Sequence, residues 1–173
     1  MKRSELNPLP EYFDRYILKC DDEELLDVLA NSSNELHKIP LAEWNKIGSR
    51  VYAPGKWSIA DILQHLIDTE RIFTYRALAI ARGETQKLPS FDENAYAIEA
   101  KGSSRSLPSL LDELRLSHQN FRAMYATFTP DILLRRGPSF KGTYSVAEIG
   151  FIAAGHQRWH LEVIQEKYLP LAG

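Results

Sequence analysis

Four stretches of this chain repeat apolar residues at helical spacing between residues that start and stop helices, a pattern that can be satisfied only by packing helix against helix. The plainest stretch opens at Ser58, a good N-cap, with Asp61 three residues on as its capping-box partner. Ile62, Leu63, Leu66, Ile67, Ile72 and Phe73 follow, and the pattern runs to about Arg82, where Gly83 supplies the stop. An earlier helix is expected after Asp21 and Asp22, whose carboxylates suit a helix N-terminus. Its stripe is Leu25, Leu26, Leu29 and Leu36, and Pro40 ends it. A third opens near Ser106, Leu107 and Pro108 and continues through Leu110, Leu111, Leu114, Phe121 and Tyr125 to about Phe128. The fourth begins at Ser145, has Glu148 in the capping-box position and ends before Pro170.

The segments between them read as connectors. Residues 44–56 end in Pro54 and Gly55, and residues 84–105 form a long polar loop or broken helix with Pro89 and Gly102. A short helix is expected over residues 10–18. Residues 55–62, G-K-W-S-I-A-D-I, echo residues 142–149, G-T-Y-S-V-A-E-I, either because two helices share one start signal or because the chain repeats. With no strand pattern, the expected fold is all-α: a four-helix bundle in one domain spanning residues 1–173.

Composition narrows the function classes. A hydrophobic content of 44% with 25% charged residues excludes a disordered or collagen-like chain. Twenty-one Lys and Arg against 23 Asp and Glu give a net charge of -2, which argues against nucleic-acid binding through a basic footprint. Cys20 is the sole cysteine, so no internal disulfide forms and a reducing compartment is expected. Asp21 and Asp22 beside it disfavour a thiolate. The first residues lack the apolar core of a signal peptide, and no stretch is apolar enough to span a bilayer, so the expected location is the cytoplasm, away from the membrane.

The candidate chemistry lies in the histidines. His156 and His160 are four apart in the fourth helix, one turn apart on one face, a spacing that lets two imidazoles hold one divalent cation. They share that face with Ile149, Ile152, Ala153, Val163 and Ile164, which should point to the core. His65 lies among Ile62, Leu66 and Thr69 on the inner side of the second helix. An inward imidazole needs a hydrogen-bond partner or a metal, and three that converge favour a metal. At about 1.5 Å per residue, His65 and His160 come to similar heights if the second and fourth helices are antiparallel. His37 reads as a surface or capping residue, His118, amid Arg115, Ser117 and Gln119, as solvated, and Trp159 as packing or interface. No P-loop, G-x-S-x-G or G-x-G-x-x-G motif occurs.

W-S-I-A-D-I-L-Q-H-L-I-D-T-E at residues 57–70 and G-H-Q-R-W-H-L-E-V-I at residues 155–164 resemble the DinB-like (YfiT-like) metal-binding four-helix bundles. Y-F-D-R-Y-I at residues 12–17 and E-K-Y at residues 166–168 fit as well. The resemblance implies an up-down-down-up topology and one divalent metal, zinc or nickel first and iron after them, held by His65, His156 and His160. It also implies a homodimer, for which Trp159 and Tyr168 are the expected exposed aromatics. Characterised members include thiol-dependent transferases and isomerases, so the expected function is a metal-dependent enzyme acting on a small molecule. A thiol S-transferase with a low-molecular-weight thiol as cosubstrate leads. A metal-dependent hydrolase and a non-catalytic dimeric module with a structural metal are the alternatives. With Cys20 unsuited to attack, the nucleophile comes from solution, and residues 84–105 cover the entry between the second and fourth helices.

Overall fold

The two serine start signals form as the pattern requires. Ser58 Oγ accepts the Asp61 backbone N–H at 3.2 Å, and the Asp61 carboxylate accepts the Ser58 N–H at 3.1 Å. Ser145 Oγ accepts the Glu148 N–H at 3.0 Å, and Glu148 accepts the Ser145 N–H at 2.7 Å. These boxes satisfy backbone donors that have no partner within their own helices. The computed structural model describes residues 1–139 and 142–173.

In chain order the elements are α1 (Asp14–Ile17), α2 (Leu25–Glu35), α3 (Leu41–Ile47), α4 (Ile59–Ala81), α5 (Glu93–Ala100), α6 (Leu107–Tyr125) and α7 (Pro130–Leu133). A hairpin of β1 (Arg136–Ser139) and β2 (Gly142–Ser145) then leads into α8 (Val146–Val163), which a π-helical turn prolongs over Ile164–Tyr168. Several details depart from the sequence pattern. The connector after α2 holds α3, whose Trp44 and Ile47 are buried, and the polar segment before α6 holds α5. Gly137, Pro138 and Gly142 read as punctuation in the sequence, yet β1 and β2 pair antiparallel from Arg136–Ser145 to Ser139–Gly142. Because β2 runs directly into α8 while irregular chain precedes α4, the echo between residues 55–62 and 142–149 is a shared helix start. At α2 the N-cap is Glu24, whereas Asp22 accepts the Ser4 N–H at 2.8 Å and ties down the N-terminal segment.

The packing contacts fix the direction of each helix. Along α4 and α6 the partners rise together: Gln64 with Arg105, then Arg71 with Glu113, so these helices run parallel. Between α2 and α8, Gly150 abuts Leu25 and Gln157 bonds the Ser32 carbonyl, so they too run parallel. Between α4 and α8 the order reverses, with His65 beside His160 and Phe73 beside His156. Between α2 and α6 it reverses again, Leu26 bonding Arg122 and Leu36 bonding Arg115. The result is a four-helix bundle running up, down, down and up.

The interior divides into two apolar clusters, and all four long helices pass from one to the other through buried polar residues. Leu25, Val28, Phe73, Phe121, Tyr125, Ile149 and Ile152 belong to one cluster; Leu36, Leu63, Ile67, Leu110, Leu114 and Ile164 belong to the other. The crossing points are Ser32 on α2, His65, Thr69 and Glu70 on α4, His118 on α6, and His156, Gln157 and His160 on α8. A polar layer therefore cuts the bundle at mid-height. Since a buried polar group without a partner is costly, each member of this layer needs a hydrogen-bond partner or a ligand.

Candidate metal centre

Close approach of α1 to α8 forms one wall of the centre. A Cβ on Gly155 would stand 1.8 Å from the Tyr16 carbonyl oxygen, so only glycine lets the two backbones meet. That contact sets the Tyr16 ring 5.2 Å, centroid to centroid, from the ring of the adjacent His156. Trp57 lies 4.7 Å from His65 and Trp159 4.7 Å from His160, so an aromatic ring backs each of the three imidazoles. The cap at Ser58 starts α4 two turns before His65, and the antiparallel packing carries His65 to α8.

His65, His156 and His160 converge through their Nε2 atoms, at 3.2 Å from His65 to His156 and 3.1 Å from His160 to His156. Donor atoms of all three lie within 4.8 Å of one another. Metal–nitrogen bonds of about 2.0–2.1 Å at a tetrahedral angle separate two nitrogens by about 3.3 Å, close to what the free imidazoles already show. Burial holds all three pKa values down: His65 falls to about 4 and His160 to about 3, with the neighbouring His65 adding to the latter. His156 lies well below its ordinary value through burial, then through His160, His65 and Arg15. The rings are thus neutral at pH 7, with lone pairs available. His65 Nδ1 lies 3.4 Å from Thr69 Oγ1, a hydroxyl able to accept the Nδ1 proton when Nε2 is the donor to a cation. Three neutral nitrogens facing one another have at most a shared proton between them. A divalent cation fits this donor set.

The trio forms part of the wall of a cavity of about 440 Å³, within the usual range for small-molecule sites. Ser90, Phe91, Glu93 and Asn94 line another side, so the segment expected to cover the entry does border it. Trp159, read from sequence as packing or interface, also lines the cavity while 36% exposed. Tyr168 is not an exposed aromatic. It is 1% exposed, and its hydroxyl donates to the Trp57 carbonyl, because the π-helical turn swings it inward. His37 is exposed in the turn after α2, as expected.

His118 is not solvated; it is 8% exposed. Its Nδ1 bonds Glu70 Oε1 at 2.5 Å, and its Nε2 bonds Gln157 Oε1, while Gln157 Nε2 donates to the Ser32 carbonyl at 2.8 Å. Both ring nitrogens face oxygen acceptors, so both donate and the ring is an imidazolium. Burial lowers the His118 pKa, but the bond to Glu70 and its charge, then Gln157, outweigh burial and raise it. The signal was present in the sequence: His118 falls at helical spacing in the stripe of Leu111, Leu114, Phe121 and Tyr125. The network joins all four long helices. Cys20 is buried, with its thiol donating to the Phe151 carbonyl at 3.3 Å. Its pKa rises to about 12 chiefly through burial, with Asp21 a lesser cause.

An up-down-down-up bundle with three histidines converging on a cavity between α4 and α8 defines the class. Residues 21–164 match the DinB superfamily, and the chain belongs to it. No curated protein matches the chain. Among solved structures, YfiT from Bacillus subtilis, described as a probable metal-dependent hydrolase with an unusual four-helix bundle topology, aligns with a TM-score of 0.65. Identity is 20%, over 96% of this chain and 91% of that one. The mycothiol-dependent maleylpyruvate isomerase aligns with a TM-score of 0.62 at 14% identity, over 97% of this chain and 64% of the isomerase. At these identities the likeness establishes the fold. Among the described residues, no helix is long and apolar enough to cross a membrane.

Proposed function

We propose that the chain is a divalent-metal-dependent enzyme that activates a small nucleophile at His65, His156 and His160. The observation that carries this reading is the convergence of three neutral, buried Nε2 atoms, 3.1 and 3.2 Å apart along the two measured pairs, beside a cavity. Three protein ligands leave a coordination position open, as catalytic centres need. A divalent ion held there supplies Lewis acidity that lowers the pKa of a thiol or of water. Zinc or nickel leads, with iron as the third choice, because imidazoles accept all three.

The chain's own residues prepare the site. Tyr16, Trp57 and Trp159 fix the rings of the ligands and replace water around them with apolar surface. Thr69 Oγ1 offers the His65 Nδ1 proton an acceptor when Nε2 holds the ion. With Cys20 buried and protonated, the attacking thiol is a low-molecular-weight cosubstrate, and an S-transferase acting on a small electrophile is the leading reaction. Hydrolysis is the second reading, favoured by the likeness to YfiT. In the test, metal-loaded protein without a histidine tag is incubated with glutathione or bacillithiol and an aryl halide. A thiol-dependent rate that chelator and His65→Ala both abolish supports transfer. Metal-dependent ester cleavage without thiol turnover assigns hydrolysis, and neither rate points to a structural ion. We also propose a homodimer, since Tyr75 and Leu78 on α4 and Ile98 on α5 are large apolar side chains left exposed. Sedimentation equilibrium showing monomer alone at tens of micromolar contradicts it.

A further inference from the structure

The charge of the cavity is opposite to that of the chain. The protein carries a net charge of -2, yet the described residues lining the cavity include three cations, Arg15, Lys56 and Arg76, against one carboxylate, Glu93. The cations come from three separate parts of the fold: α1, the loop before α4, and α4 itself. Arg76 is 4% exposed and donates to the Pro89 carbonyl at 2.7 Å. It follows His65 by eleven residues, three turns along the same helix face and about 16 Å along the axis. The Arg15 guanidinium lies 3.9 Å from the Tyr12 ring centroid, 4.9 Å from that of Tyr16, and donates to the Tyr16 hydroxyl at 3.2 Å. The Tyr16 ring in turn lies 5.2 Å from that of His156, which places Arg15 beside the metal centre. The Lys56 ammonium lies 5.9 Å from the Tyr52 ring and adjoins Trp57, the residue that backs His65. Neither Arg15 nor Lys56 has an ion-pair partner among the described residues.

A divalent ion at the three histidines would raise the positive charge further. The rest of the wall is aromatic, including Phe73, Phe91 and Trp159. Such a cavity complements a molecule with an apolar or aromatic body and a negative end, and the planar guanidinium matches a carboxylate through two parallel N–H bonds.

Resting on the metal-enzyme reading above, we infer that the substrate of this cavity is a small organic carboxylate, whose acid group is bound by Arg15 and Arg76 and whose body packs on the aromatic walls, with Lys56 adding positive charge from the other end of the cavity. Arg76 and Arg15 are then specificity-determining residues, separate from the metal ligands. The test uses calorimetric titration of phenylacetate and of phenylacetamide, its neutral isostere, into zinc-loaded and chelator-treated protein. Wild type should bind the acid at least tenfold more tightly than the amide in both forms. Arg15→Gln and Arg76→Gln should each cut that ratio severalfold, and Arg76→Lys less. Arg82→Gln, outside the cavity, should leave it unchanged. If Arg76→Gln does not fold, the double variant Arg15→Gln, Lys56→Gln carries the same expectation. Equal binding of acid and amide by wild type overturns the inference. So does a preference that requires zinc and persists in the arginine variants, since the metal alone would then bind the acid. The chelator-treated arm keeps the inference separable from the metal reading, which metal content and His160→Ala test by themselves.

Discussion

The middle of the bundle holds buried imidazoles in two settings, one neutral and one charged. In one, His65, His156 and His160 turn Nε2 lone pairs toward one another, and burial keeps all three neutral. In the other, His118 lies between the Glu70 carboxylate and the Gln157 amide oxygen and carries a proton on each nitrogen. The clusters are close: Gln157 follows His156 directly, and Glu70 stands five residues, about 8 Å of helix, beyond His65. Burial is nearly equal, 8% exposure for His118 and 6–9% for the other three. What faces the ring therefore decides its role, not how deeply it is buried. Acceptors on both sides make His118 a strut between helices, whereas lone pairs on all sides make the trio a site for a cation.

The comparison breaks most severely at Glu70. Glu70→Ala leaves the imidazolium of His118 buried without its counter-charge, so urea denaturation of the metal-free protein should show a loss of about 3–5 kcal/mol. A loss under about 1 kcal/mol would show that the pair does not hold the bundle together.

Acidity separates the two clusters by sign. The folded trio has pKa values below the ordinary 6.5, so its contribution is fully present above pH 6.5 and is lost as pH falls toward about 4 and then about 3. His118, raised above 6.5, stabilises below that pH and loses its contribution as pH rises through its folded value. Stability of the metal-free protein should thus fall on both sides. Changing one of the trio to Ala should flatten the acid arm, and His118→Gln should flatten the alkaline arm. Among the four buried histidines, ring signals in NMR should show one protonated at pH 6.5 and three neutral; all four titrating together would erase the distinction.

The smallest effect is expected at Cys20, which belongs to neither cluster. Cys20→Ser keeps a donor for the Phe151 carbonyl, so it should cost about 1 kcal/mol or less and leave metal content and thiol turnover unchanged. A large fall in turnover would make Cys20 part of the chemistry.

Much of this was legible in the chain. The Ser58 and Ser145 starts, the inward His65 and the His156/His160 pair follow from caps and 3.6-residue periodicity, which act locally. The immediate neighbours of His118, Arg115, Ser117 and Gln119, suggest a solvated ring, whereas Leu111, Leu114, Phe121 and Tyr125 on its own face decide its burial. Glu70 and Gln157 carry no local signal, because their shared partner His118 is 48 and 39 residues away, distances only the fold can close. Tyr168 depended on the π-helical turn, and the cationic cavity on three segments meeting. None of these leaves a periodic trace.

Metal content measured on protein purified without an affinity tag tests the central claim most directly. Wild type and His118→Gln should each carry close to one divalent ion per chain, and His160→Ala should lose most of it. Equal metal content in wild type and His160→Ala would contradict the account.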